Sequence, residues 1–218
     1  MILLKLFYFY LKIFQPTIDF FNIATELNKL SKNVNNYIIY SHDFDFRGNR
    51  QPYEYSRNQK RGNKNYFPPL GWTGIGLNVT QFDDWKIKIG KINKEGEWCV
   101  VYHGTSLKKA KNIIIEGLKE GNRQAYQDFK DKEGNQIGTG VYFTPYIKIA
   151  ELYSKPYYGI NCVFMCRINP KKMKKTPKSG YYVVNAPKSD VIPYRLLIRR
   201  AMKITFDAKN TIQKNIKK

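Results

Sequence analysis

Apolar positions recur three and four residues apart at Ile18, Phe21, Ala24, Leu27 and Leu30, which predicts an amphipathic helix over "TIDFFNIATELNKL". Thr17, just after Pro16, supplies its cap. Further on the period changes. "EWCVVYH" is a short apolar run and predicts a strand. "SLKKAKNIIIEGL" returns to helical spacing: Leu107, Ala110, Ile113, Ile114 and Leu118 share a face, and Gly117 lies near the C-terminal end. "GTGVYFTP" is a short strand between glycines and a proline, "YIKIAELYS" a short helix, "GINCVFMCRINP" a strong apolar strand and "GYYVVN" another. "DVIPYRLLIRR" reads as an edge-like strand, because Pro193 brings no N–H to a ladder. "PPLGWTGIGLNV" reads as a tight turn into a strand, residues 119–137 as a polar loop and "KKMKKTPKS" as a basic connection. Strands do not alternate regularly with helices, which argues against a doubly wound parallel sheet and for an α+β fold. The expected division is a helical and basic arm over 1–66, one domain over 67–200 and a basic tail over 201–218.

The 218 residues suffice for one domain with a real core. The net charge of +21 comes from 29 lysines and only nine arginines, spread along the chain. Such a balance attracts phosphates, nucleic acids and anionic surfaces. Genome nucleotide bias produces the same richness in Lys, Asn, Ile and Tyr, and that plainer reading stands slightly ahead. Between residues 47 and 64, Arg47, Arg50, Arg57, Lys60, Arg61 and Lys64 interleave with Tyr53 and Tyr55, a composition that binds single strands and also makes ordinary exposed loops. The opening "MILLKLFYFYLKIF" is too short to cross a bilayer and is expected to pack on the domain. Cys99, Cys162 and Cys166 form no CxxC pair, and two lie in apolar strands, so buried thiols in a reducing intracellular compartment, cytoplasmic or nuclear, are expected. Two histidines argue against a zinc site. His42, beside Asp43, reads as a polar loop residue. Gly71, Gly74 and Gly76 do not make a dinucleotide or P-loop cradle.

One stretch carries chemistry: "WCVVYHGTS", where an apolar strand runs into His103, Gly104 and Thr105. Singly, the motifs around it are weak. In order they are specific: "YHGT", a helix ending "EGL", "GTGVYFTP", a tyrosine eleven residues after Tyr142, a strand ending "CRINP", then "YYVV" and "DVIPYRLLI". Over about residues 98–198 this series resembles the catalytic domain of the poly(ADP-ribose) polymerase and diphtheria-toxin branch of ADP-ribosyltransferases. The resemblance implies split, mainly antiparallel β-sheets with flanking helices, and NAD as co-substrate. It implies that His103 and Thr105 bind a ribose of NAD, that the backbone of Gly104 holds the nicotinamide carboxamide, and that Tyr142 and Tyr153 sandwich the nicotinamide ring. The physical reading agrees. A cationic ring is well held between aromatic faces, and a glycine lets a ligand approach the backbone closely.

Two positions depart from the family pattern. Tyr181 stands where polymer-forming members carry a glutamate. A tyrosine stays neutral at pH 7; it cannot stabilise positive charge or activate a sugar hydroxyl as a carboxylate does. Ala150 replaces a serine whose hydroxyl bonds the carboxamide, a loss of about 1 kcal/mol. Asp128, Asp131, Glu133 and Asp190 are candidate substitutes for the missing carboxylate. The resemblance therefore implies transfer of a single ADP-ribose, with His103, Tyr142 and Tyr181 at the reacting centre and a protein as the expected acceptor. An inactive NAD- or ADP-ribose-binding domain and a basic nucleic-acid-binding protein are the alternatives.

Overall fold

The computed structural model describes residues 44–45, 59–121, 126, 128–136, 138–157 and 159–201. The amphipathic helix of 17–30, His42, the basic and aromatic positions from Arg47 to Arg57, and the tail from residue 202 lie outside the described residues.

The fold is α+β, and every strand pairing among the described residues is antiparallel. The described residues hold, in chain order, the strands β1 (Phe44–Asp45), β2 (Lys60–Arg61), β3 (Lys64–Asn65), β4 (Thr73–Gly76), β5 (Cys99–Thr105), β6 (Val141–Phe143), β7 (Ile160–Ile168), β8 (Lys174–Lys175), β9 (Tyr182–Val184) and β10 (Val191–Arg200). Among the described residues the helices between them are α1 (Trp85–Lys88), α2 (Leu107–Glu116), α3 (Ile147–Tyr153) and α4 (Pro187–Asp190). Five strands form one sheet in the order β1-β4-β10-β7-β5, three form a second in the order β6-β9-β8, and β2 and β3 make a hairpin.

The large sheet is covered on both faces, so its long strands are apolar throughout; β7 is buried along its whole length. On one face Val101, Phe164 and Leu196 pack with Leu107, Ala110 and Ile114 of α2, and with Val141 and Phe143 of β6. The α2 face is the one its spacing predicts, and each buried Leu or Ile contributes about 2 kcal/mol. On the other face Tyr102, Val163, Met165 and Leu197 pack with Trp72 and with Ala150 of α3. Arg167 on β7 is buried against Glu97 at 3.2 Å and donates to the Trp98 carbonyl at 2.7 Å, which fixes the entry into β5.

Strand β10 is central, with β4 on one side and β7 on the other, and not at an edge. The register with β7 shifts between Pro193 and Arg195, and pairing with β4 begins only at Arg195. The missing N–H of Pro193 therefore falls at a bulge beyond the end of the β4 ladder, where no donor is needed. α1 and α4 have four residues each, too few to show a period.

Candidate functional site

Strand β5 alternates its side chains between two environments. Val101 belongs to the α2 face and Tyr102 to the α3 face. The same alternation sends His103 with Val101 and Gly104 with Tyr102. His103 accordingly lies beside Phe143, ring centroids 5.7 Å apart. A Cβ on Gly104 would stand 1.8 Å from the carbonyl oxygen of Ala150 and 3.1 Å from Cβ of Tyr153. The close approach that Gly104 permits on its Cα side is thus that of α3 itself. A side chain at this position is excluded by α3, whatever approaches the backbone.

The ligand-facing part of Gly104 is its backbone. Along one edge β5 pairs with β7. Along the other, Tyr102 and Thr144 exchange both backbone bonds, at 2.7 and 3.1 Å. Backbone groups alternate direction along an antiparallel strand, so the N–H and C=O of Gly104 point the same way as those of Tyr102, away from β7. Continuing the Tyr102–Thr144 register would set Gly104 against Tyr142. That pairing does not form. The Tyr142 carbonyl is bound instead by Nδ1 of His103 at 2.9 Å. Among the described residues no strand pairing continues past this bridge, and Gly104 presents a donor and an acceptor side by side on an edge without a backbone partner among them.

The contact with Tyr142 also defines the state of His103. A carbonyl only accepts, so Nδ1 carries the proton and Nε2 is left as the acceptor. Burial lowers the imidazole pKa below its ordinary value; the Tyr142 carbonyl acts in the opposite sense and the charge of Lys109 adds to the lowering. At neutral pH the ring is neutral, and Nε2 has no hydrogen-bond partner among the described residues.

Four tyrosines continue the wall. The Tyr142 hydroxyl donates to the Gly138 carbonyl, and its ring lies 6.1 Å from that of Tyr126. Tyr153 ends α3 and is 54% exposed, although its base abuts Gly104. Its hydroxyl donates to that of Tyr181 at 3.2 Å, and the two rings meet edge-on with centroids 6.1 Å apart. Tyr181 immediately precedes β9 and is buried; burial, then the Tyr153 hydroxyl, push its pKa far above the ordinary phenol value, so it is neutral. Among the described residues no ring contact joins Tyr142 to Tyr153. A flat ring lying between two others holds them about 7 Å apart, twice the ~3.5 Å contact distance of carbon atoms.

Thr105 is buried at the end of β5, opposite Cys162. Of the candidate acids, Asp131 closes a turn by accepting from Asn135, backbone at 2.7 Å and side chain at 3.0 Å, and Asp190 accepts from Asn169 at 3.3 Å. Asp128 and Glu133 are exposed. Helix α3, which carries Tyr153, is anchored by Glu151: Arg199 donates to it at 2.7 Å and Asn161 at 2.8 Å, and the guanidinium lies 4.7 Å from the Trp72 ring centroid. From the basic arm, Arg61 is committed to structure, 3.8 Å from Glu97 and 5.0 Å from the Tyr66 ring centroid. Cys99, Cys162 and Cys166 are buried free thiols.

Sequence reasoning missed Tyr126, Gly138 and Thr144. A Cβ at Gly138 would stand 1.5 Å from the Tyr126 carbonyl oxygen, so the glycine before "TGVYF" seats the loop against Tyr142. The "GTG" doublet was the available signal for Gly138; Tyr126, in an aperiodic polar loop, had none.

No protein-family model and no curated protein matches this sequence. No helix among the described residues is long and apolar enough to cross a membrane.

Proposed function

We propose that the chain is an NAD-dependent mono-ADP-ribosyltransferase. The observation that carries this reading is the open backbone edge of Gly104, set between a neutral His103 and the base of Tyr153. A primary carboxamide offers one acceptor and one donor side by side, and a strand edge with one N–H and one C=O is its complement. With the carboxamide there, the attached ring lies between Tyr142 and Tyr153, where a cationic pyridinium gains cation–π attraction as well as stacking.

The ribose then falls near His103. Nε2 accepts a hydrogen bond from a ribose hydroxyl, which only the neutral ring does. When the C1′–N bond breaks, its electron pair goes to the nicotinamide nitrogen, and nicotinamide leaves neutral. Positive charge spreads over C1′ and the ring oxygen, and an acceptor oxygen closes onto C1′ from the opposite face. Tyr181 orients Tyr153 through their hydroxyls but takes no proton at neutral pH. Tyr181, neutral, supplies no carboxylate to activate a second sugar hydroxyl at the place where polymer-forming members carry a glutamate, so one unit is transferred and no chain grows. The buried free thiols fit a reducing compartment.

The second reading is an NAD- or ADP-ribose-binding protein without turnover. The hydroxyl pair of Tyr153 and Tyr181, standing where a carboxylate would be expected, favours it. Incubation with NAD carrying separate labels on nicotinamide and adenylate separates the two. Free nicotinamide with label on an acceptor supports the transferase; intact NAD retained in equilibrium dialysis supports the binder.

A further inference from the structure

We infer that the segment joining α1 to β5, with Ile87 and Ile92 at its surface and lysines around them, docks on an anionic lipid bilayer. The inference stands apart from the transferase reading. This surface adjoins the start of β5, and His103 lies about 17 Å further along the chain from Trp98, at a rise of about 3.4 Å per residue.

The surface is built around one turn. Ile87 is 54% exposed and Ile92 is 70% exposed, the latter the most exposed of the large apolar side chains among the described residues. Cγ2 of Ile87 lies 2.9 Å from the place of a Cβ on Gly96, and Ile92 precedes Asn93, so both isoleucines flank the turn 93–96. The backbone of the segment is anchored. Buried Arg167 donates to the carbonyls of Ile89, at 3.2 Å, and Gly90, and Glu97 accepts from the Asn93 N–H at 2.7 Å. Nδ2 of Asn93 donates to Oδ1 of Asn63 at 3.0 Å, which ties the turn to the β2–β3 hairpin. Trp85, part-exposed, packs against the cluster of Val79, Trp98 and Ile192. Apolar side chains held outward on an anchored backbone and rimmed by polar residues mark a contact surface.

Charge selects the occupant. Lys86, Lys91 and Lys94 on the segment, and Lys60 and Lys64 on the hairpin, are exposed. No carboxylate among the described residues lies within ion-pair distance of any of them. The exposed acids of the segment are Asp83, Asp84 and Glu95, fewer than these lysines. A second copy of the chain would set lysine against lysine. A nucleic-acid backbone would satisfy the lysines and leave the isoleucines in water. An anionic bilayer takes both. Aliphatic side chains enter the boundary between headgroups and acyl chains, and the lysine ammonium groups stay at the phosphates with their stems along the apolar surface. Each lysine at such a surface strengthens binding about fivefold.

The test uses the full chain at physiological salt with two kinds of vesicle: phosphatidylcholine alone, and phosphatidylcholine with an equal part of phosphatidylserine. Trp72 and Trp98 are buried, so a change in tryptophan emission reports Trp85. The parent is expected to sediment with the mixed vesicles, with a blue shift of emission, and to partition at least tenfold more weakly to phosphatidylcholine alone. The variant Ile87→Ser, Ile92→Ser keeps every charge and is expected to lose the blue shift and at least tenfold in partition. The variant Lys86→Gln, Lys91→Gln, Lys94→Gln is expected to lose at least tenfold in partition. All five positions are exposed, so both variants should melt close to the parent's temperature, which checks that they fold. Equal binding by the parent and the serine variant overturns the proposal, because net charge alone then accounts for it. Failure of the parent to sediment with the mixed vesicles also overturns it. So does a serine variant that keeps vesicle binding but loses binding to a single-stranded oligonucleotide or loses a dimer that the parent forms.

Discussion

Nδ1 of His103 lies 2.9 Å from the backbone carbonyl of Tyr142, and this one contact does two things. It takes up the Tyr142 carbonyl, which the register would otherwise set against Gly104, and it leaves Nε2 as an acceptor. Burial lowers the pKa of the ring below 6.5. NAD cleavage is therefore expected to be flat from about pH 7 to 8 and to fall as the pH drops through the folded value, since protonated Nε2 accepts nothing. The stability linkage has the same sense. The unfolded imidazole takes its proton first, so the contribution is present above about 6.5 and is lost as the pH falls from there through the lower folded value. Proton NMR of the His103 ring, read beside a pH–rate profile, checks both.

Gly104 is required by packing as well as by its backbone edge. In Gly104→Ala the new methyl would stand 1.8 Å from the Ala150 carbonyl, and a backbone atom moves only if α3 moves. The expected cost is on the order of 3 kcal/mol, with NAD binding lost. Thermal melting and equilibrium dialysis measure the two effects.

Glu151 should matter through Tyr153 without touching a ligand. Its buried carboxylate accepts from Arg199 and Asn161. Glu151→Ala leaves the Arg199 guanidinium without its carboxylate, at a cost of about 3–5 kcal/mol, and loosens the helix that ends in Tyr153. A fall in melting temperature together with weaker NAD binding is expected. A stable variant with normal binding would show that α3 is held by its apolar face alone.

On the proposed transferase reading, Tyr181 sets how readily the site cleaves NAD. Tyr181→Glu puts a carboxylate beside the developing charge and is expected to raise NAD cleavage at least tenfold. Tyr181→Phe removes only the hydroxyl bond to Tyr153, worth about 1 kcal/mol, and should change stability little. Equal cleavage by Tyr181→Glu and the parent would mean that residue 181 does not face the reacting sugar.

The strands and α2 were legible in the sequence because burial leaves apolar runs and a helical period. Pro193 misled, since its missing donor is harmless at a bulge past the end of β4, and a sequence does not say where a neighbouring strand stops. At the candidate site, His103, Gly104, Tyr142, Tyr153 and Tyr181 were named through the family resemblance of the ordered motifs around them. That the Gly104 Cα faces the Ala150 carbonyl was not legible, because it depends on how α3 crosses β5. Tyr126 was invisible, since a loop residue placed by one glycine contact leaves no periodic trace.

The most direct measurement is NAD cleavage and transfer by the full chain beside its His103→Ala variant, following nicotinamide release and adenylate label together. The account predicts release and transfer by the parent and a fall of about tenfold or more in the variant, the loss of at least one hydrogen bond to ribose. Equal rates in the two proteins, or no release by either, would contradict it.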